Sequence, residues 1–256
     1  MVKKVIFTDL DGTLLDENYR CDKALELIKL IRKINVPIVF VSAKTRFEQE
    51  VFRRMVGVDD PFVVEDGSAV YLPKNYFGKR VGVERDGYEV LIFGVEREAI
   101  IRHLLSLKDR YHIKSYAFMS VEEVAEVTGL SLEMAELAKR REFSETIVEA
   151  DEEVIEHLRK FFNVQIGGKF IHVYGKGADK GKAVRLLTKL YRDLYGEVVT
   201  IGIGNSYTDI PMLKEVDIPA LVKNRDGWID VDFEVYKAEG VATEGWVEVV
   251  KRFVLS

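Results

Sequence analysis

Two aspartates one residue apart, Asp9 and Asp11, follow directly on the apolar run Val5-Ile6-Phe7. An apolar strand gives carboxylates little water, and like charges this close repel. Folding gains nothing from the arrangement, so the pair points to a metal ion or to phosphate chemistry. Three other apolar runs also end in polar groups. Ser42 closes "VPIVFV", Glu65 and Asp66 close "PFVV", and Asn205 closes "EVVTIGIG", with Asp209 four residues further on. A lone Asp-x-Asp is common in surface turns, whereas several polar strand ends in one chain are a stronger signal. Gly12, next to the aspartate pair, permits a tight turn there.

The elements that must position these groups alternate along the chain. Residues 3–8, 36–42 and 61–66 read as buried strands, and apolar spacing predicts helices over 22–34 and 45–56. This βαβαβ order predicts a mostly parallel sheet with helices on both faces. After residue 80 the texture changes. Strands predicted over 88–94 and 143–149 and a hairpin over 164–175 mix with helices over 96–108, 121–126, 131–140 and 151–161. Strict alternation then returns: helix 179–195, strand 197–204, helix 206–215, strand 218–223 and a last helix over 244–253. The expected architecture is a Rossmann-like α/β core made of residues 1–79 and 176–256, interrupted by an α+β domain over 80–175. Ligands of open parallel sheets bind beyond the carboxyl ends of the strands. The polar strand ends should therefore share one edge, with the inserted domain above them as a lid.

Composition narrows the function classes. The 256 residues, 47% hydrophobic and 32% charged, suffice for one large domain or two modest ones. A net charge of −5 weighs against a general nucleic-acid partner. The single cysteine, Cys21, excludes an internal disulfide and fits a reducing cytoplasm. There is no apolar run near the roughly 18 residues of a membrane span and no signal-peptide start, so no membrane partner and a cytoplasmic location are expected. The abundance of Glu, Lys and Arg over Gln fits a heat-adapted source. Composition says nothing of oligomeric state.

The order strand, Asp-x-Asp-Gly-Thr, helix resembles the first motif of the haloacid dehalogenase superfamily. Ser42 matches the second motif, Lys180 in "DKGKAV" the third, and "GIGNSYTDIPML" (202–213) the fourth. The insert lies where this superfamily carries its C2-type caps. The resemblance implies phosphoryl transfer through an aspartyl-phosphate with Mg2+. Asp9 would be the nucleophile, and Asp11 the acid for the leaving alcohol and then the base for water. Ser42, Lys180 and backbone groups at Gly12 would bind the phosphate. Asp9, the Asp11 carbonyl, Asn205 and Asp209 would hold the metal. Position 205 departs from the family's usual Asp: an Asn carbonyl can ligate but brings no charge.

Further segments, "SAKTRFEQE" (42–50), "EDGSAVYLP" (65–73), "REFSET" (141–146) and "GGKFIHV" (167–173), resemble the mannosyl-3-phosphoglycerate phosphatase family. That likeness implies a phosphorylated sugar-acid substrate, met by Lys44, Thr45, Arg46 and Glu65 on the core side. From the insert it would be met by Arg141, Ser144, Gly168, Lys169 and His172. Thr146 stands where that family has proline. Plainer readings stay open for these residues. "KRRE" (139–142) reads equally as a solvated helix end, His172 as a structural strand residue, and Glu65-Asp66 as a turn before Gly67. A broader sugar-phosphate phosphatase, a phosphohexomutase and an inactive phospho-ligand sensor are the alternatives to the leading reading.

Overall fold

A computed structural model describes residues 2–167 and 169–255. Two sheets organise the chain. The larger has nine strands in the order β13-β12-β11-β1-β2-β3-β4-β6-β5. These are β1 (Lys3–Thr8), β2 (Ile38–Val41), β3 (Phe62–Val64), β4 (Ala69–Pro73), β5 (Val83–Arg85) and β6 (Tyr88–Ile92), then β11 (Val198–Gly204), β12 (Ile218–Lys223) and β13 (Tyr236–Val241). From β13 to β3 the neighbours run parallel, and from β3 to β5 they run antiparallel. The second sheet, β7-β8-β10-β9, is antiparallel. It comprises β7 (Ile113–Ser115), β8 (Ser144–Ala150), β9 (Phe162–Gly167) and β10 (Phe170–Gly175).

Nine helices connect the strands among the described residues: α1 (Leu25–Lys33), α2 (Arg46–Val56), α3 (Arg97–Leu107), α4 (Val121–Thr128), α5 (Leu132–Lys139), α6 (Glu152–Phe161), α7 (Lys180–Tyr195), α8 (Ile210–Leu213) and α9 (Thr243–Phe253). Alternate residues of the large sheet feed two separate cores. Ile6, Ile38, Phe40 and Ile201 pack on one face, and Val5, Phe7, Val39 and Val63 on the other. Burial on both faces explains why these strands read as unbroken apolar runs. In the small sheet Ile147 and Val173 pack against α3 and α6 through Leu104, Val154 and Leu158. On the opposite face Tyr116 and Val148 pack with α4 and α5 through Val124, Ala135 and Ala138, and Thr146 and His172 face the cleft. No helix among the described residues is long and apolar enough to cross a membrane.

Some predicted elements shift. Residues 83–92, expected within the insert, form β5 and β6 and extend the large sheet through β4. The helix expected over 206–215 is a 3-10 turn, Tyr207–Asp209, followed by the short α8 with Pro211 in its first turn. β4, β5, β7 and β13 lie outside the predicted set. The predicted hairpin is present, with Phe170 opposite Gly167. Its tip residue Gly168 lies outside the described residues.

Candidate active site

Strand order decides where the site is. β1 lies between β11, which arrives late in the chain, and β2, which arrives early. That reversal leaves a crevice at the carboxyl ends. Asp9, Ser42 and Asn205 each follow the last residues of adjacent strands. The Asp9 amide donates to the Ile203 carbonyl at 2.9 Å, and its own carbonyl accepts from Thr8 Oγ1 at 2.8 Å. Trp246 Nε1 donates in turn to Thr8 Oγ1 at 3.1 Å, so α9 fixes the Asp9 peptide.

Lys180 is the centre of the charge arrangement. It opens α7, behind Asp179, whose side chain accepts from the Lys182 amide. Its ammonium donates to Asp9 Oδ1 at 3.0 Å and to Asp209 Oδ1 at 2.7 Å, all three groups being buried. Asp209 Oδ2 accepts from the Asn205 amide and from the Ser206 amide and hydroxyl, each at 3.0 Å. Both oxygens of Asp209 are thus taken by protein donors, so its first task is to hold Lys180 and the loop. Burial pushes the Asp9 carboxyl up to about 8, Asp209 adds to the rise, and Lys180 works against it. For Lys180, burial disfavours the ammonium, but Asp209 and Asp9 outweigh it and hold it above the usual lysine range. Asp9 and Asp209 share the single ammonium of Lys180, which leaves one negative charge uncompensated between them. Hard oxygen donors with excess negative charge suit a small divalent cation. Asp9 and Asn205 are oxygen donors at this edge, and among the described residues no cluster of three or more His, Cys, Asp or Glu side chains is placed to hold an ion.

Gly12 is required twice. Its φ is +69°, and a Cβ there would lie 2.5 Å from Asn205 Nδ2. Asn205 Oδ1 accepts from Thr13 Oγ1 at 3.1 Å, and its Nδ2 donates to Asn224 Oδ1 at 2.9 Å. Asn224 returns a bond to the Asn205 carbonyl at 2.8 Å. The amide at 205 is therefore built into a reciprocal pair. Asn224 ends β12, so the rule that singled out the other strand ends would also have found it.

Asp11 projects outward. Its side chain is 48% exposed and lies 3.0 Å from Lys44 Nζ. Lys44 is itself buried, lies 3.6 Å from Glu48, and sits over the Tyr19 ring. Burial works against its charge, but Asp11 and Glu48 more than offset it, and the ammonium is held above the ordinary lysine range. Ser42 is buried, its hydroxyl accepting from the Lys44 amide at 3.3 Å.

The predicted substrate residues divide. Arg141 and His172 line a cleft of about 120 Å³ together with Asp11, Lys44, Tyr116 and Thr146. Thr45 instead caps α2, accepting from the Glu48 amide at 3.2 Å and donating to Leu137 at 3.0 Å. The Thr-x-x-Glu spacing at 45–48 is the visible signal of that cap. Arg46 turns away from the cleft to Glu142, Glu50 and Asp86. Glu65 is fully buried and accepts from the Glu142 amide (2.8 Å), the Phe143 amide (3.0 Å) and the Ser144 hydroxyl. Its acceptors are filled, so Glu65 and Ser144 bond each other across the seam between the sheets. Lys169 is exposed at the hairpin, and Gly168 is outside the described residues.

The turn reading of Glu65-Asp66-Gly67 holds. All three residues have positive φ, and a Cβ on Gly67 would come within 2.2 Å of the Asp179 carbonyl carbon. Asp66 is an additional group of interest. It is buried, both its oxygens lack a hydrogen-bond partner, and Oδ2 lies 3.4 Å from His172 Nδ1. A larger groove of about 650 Å³ runs along the outer side of the Gly12 turn. Gly12 and Asn224 are the lining residues that it shares with the strand-end cluster. Arg20, Lys23 and Arg225 in it are paired with Asp22, Glu244 and Glu17, which belong to the same groove.

A buried carboxylate held by a lysine, with a second carboxylate two residues on and a lid above, defines a phosphotransferase-type hydrolase site. The model for haloacid dehalogenase-like hydrolases matches residues 6–227, and the chain belongs to that family. The chain is 39% identical to a glucosyl-3-phosphoglycerate/mannosyl-3-phosphoglycerate phosphatase of Persephonella marina, covering 98% of this chain and 97% of the relative. It is 42% identical to a mannosyl-3-phosphoglycerate phosphatase of Pyrococcus furiosus, covering 86% and 90%. In fold it is similar to a phosphatase of the same superfamily from Bacteroides thetaiotaomicron, with a TM-score of 0.68 at 17% identity, covering 100% and 96%.

Proposed function

We propose that this chain is a magnesium-dependent phosphatase that cleaves mannosyl-3-phosphoglycerate to mannosylglycerate and phosphate. The observation that carries the reading is Asp9, buried and held by Lys180, two residues before Asp11, which lines the cleft. The names of relatives at 39–42% identity supply the substrate class.

The residues divide the reaction as follows. An Asp9 carboxylate oxygen attacks phosphorus, and the bond from phosphorus to the glycerate oxygen breaks. Asp11, reachable from solvent, gives that oxygen a proton and leaves an aspartyl-phosphate. Asp11 then takes a proton from water as the water oxygen attacks phosphorus, releasing phosphate and restoring Asp9. Lys180 holds Asp9 in place and works against the burial that favours its proton, and Ser42 and the turn at Gly12 face the phosphate oxygens. A magnesium ion held by Asp9, the Asp11 carbonyl and Asn205 would offset the repulsion between carboxylate and phosphate. On the lid side, Arg141 donates Nε to the Ser144 hydroxyl at 2.8 Å and Nη2 to the Ala43 carbonyl at 2.7 Å, which leaves Nη1 as its permanently charged donor to the glycerate carboxylate. A heat-adapted, compatible-solute role in the cytoplasm follows from this substrate.

Phosphate release tests the reading. Mannosyl- and glucosyl-3-phosphoglycerate, hexose phosphates and an aryl phosphate are compared with magnesium and with chelator. A kcat/KM for the hexosyl-3-phosphoglycerates well above the rest is expected. Asp9→Asn should lose activity by many orders of magnitude, because an amide forms no acyl-phosphate. A variant retaining a tenth of the activity would remove Asp9 from the nucleophile role. A need for a bisphosphate activator would indicate a mutase instead.

A further inference from the structure

The lid's cleft face carries polar groups that the fold itself does not use. Thr146 on β8 stands directly opposite His172 on β10, and the Tyr116 amide, just past β7, donates to the Thr146 carbonyl at 3.0 Å. The three residues therefore form one row across three strands, and all three line the cleft. Their neighbours Ile147 and Val173 face the opposite way, into the helices. Thr146 is 2% exposed, yet its hydroxyl has no hydrogen-bond partner. His172 Nδ1 is also unpartnered, although Asp66 stands 3.4 Å away. Burial pushes the Tyr116 hydroxyl up, so it stays a donor at working pH. Phe170 stands edge-on to the Tyr116 ring, with centroids 6.1 Å apart.

A buried hydroxyl without a partner weakens a fold. Thr146 differs from the other unpartnered hydroxyls in lining the cleft, where a group outside the chain can complete it. We propose that Tyr116, Thr146 and His172 form a hydroxyl-binding subsite for the hexosyl group of the phosphate ester. This rests on reading the cleft as a phosphatase site for sugar esters. A hexose presents several hydroxyls in a ring, each both donor and acceptor, and so matches a row of short polar groups. The aromatic edges of Tyr116 and Phe170 suit the C–H face of the ring. His172 is faced by Asp66, Arg141, Lys180 and Asp11, and burial holds it below its ordinary value. It therefore meets a neutral sugar as a neutral imidazole. Thr146 is the distinctive member, because its buried hydroxyl has no partner within the chain.

The test is a ratio: kcat/KM for mannosyl-3-phosphoglycerate divided by kcat/KM for an aryl phosphate. One net hydrogen bond corresponds to a loss of about two- to twelvefold. Thr146→Val and Tyr116→Phe should each lower the ratio by that much, while Thr146→Ser keeps it near wild type. The melting temperature of Thr146→Val should hold or rise, because the variant removes an unpartnered buried hydroxyl. A structural role would lower it. Unchanged ratios in both Thr146→Val and Tyr116→Phe would overturn the subsite, as would an equal loss in Thr146→Ser. If the wild type spares mannosyl-3-phosphoglycerate but cleaves another hexose phosphate, the proposed substrate fails, and the same ratio with that ester decides the subsite. Turnover of sugar-free esters alone would overturn it.

Discussion

Asp9 must be ionised to act, yet its surroundings favour the proton. The unfolded carboxyl ionises near 3.8, and burial beside Asp209 raises it to about 8 in the folded chain. Between those values the unfolded chain has released a proton that the folded chain still holds. The contribution of this carboxyl to stability therefore falls as pH rises from about 4 to about 8. Asn at position 9 removes the conflict. In chelator at pH 8, Asp9→Asn should melt at least about 2 °C above wild type, and the gap should close at pH 4. Equal melting at both pH values would show that the carboxylate is under no such strain. Asn205 offers a second test. Its Nδ2 donates to Asn224 Oδ1, so Asn205→Asp sets oxygen against oxygen until Asn224 turns. The variant should melt lower than wild type in chelator, yet gain more from added magnesium, because a charged ligand binds the ion more tightly. A smaller magnesium shift than wild type would show that the amide is tuned to the site.

Among the elements, the turn after β3 ties the sheets together. Glu65 accepts from two amides and a hydroxyl of the 142–144 segment. Glu65→Gln turns an NH2 toward donors and strands at least one of them. Each stranded donor costs about 1–3 kcal/mol, or roughly 2–10 °C at this size. A melting temperature within 1 °C of wild type would show that the tie carries no weight. This tie was not legible in the sequence. Glu65 and Ser144 lie 79 residues apart, and either reads alone as a substrate ligand. By contrast, Asp9, Ser42, Lys180 and Asn205 were legible because each sits at the end or start of a locally patterned element. β5 and β6 were misplaced for a related reason. Three or five residues carry too little periodicity to name a partner sheet, and β6 pairs with β4 only through the tertiary fold. Arg46 and Thr45 were misread because charge and hydroxyl look the same whether they serve a cap, a surface network or a ligand. Only direction separates those roles, and direction needs coordinates.

At the scale of the whole molecule, two cores lie on the large sheet and two on the small one, beside a seam rich in charge. A magnesium ion at the proposed site should stabilise the whole fold, because the folded chain alone would assemble its ligands. At a hundredfold excess over Kd, magnesium should add about 2.7 kcal/mol, roughly 5–10 °C in melting temperature. Chelation should remove both that shift and phosphate release. A chain that melts and turns over equally in chelator would have no such ion. The Glu65 tie has one more consequence. Two of its three partners are main-chain amides, which every residue type except proline supplies. The Tyr116–Thr146–His172 row contributes nothing to it. Mutation can therefore resurface the ceiling of the cleft while the lid stays anchored and the catalytic floor stays untouched. A lineage built this way can change its diet one side chain at a time.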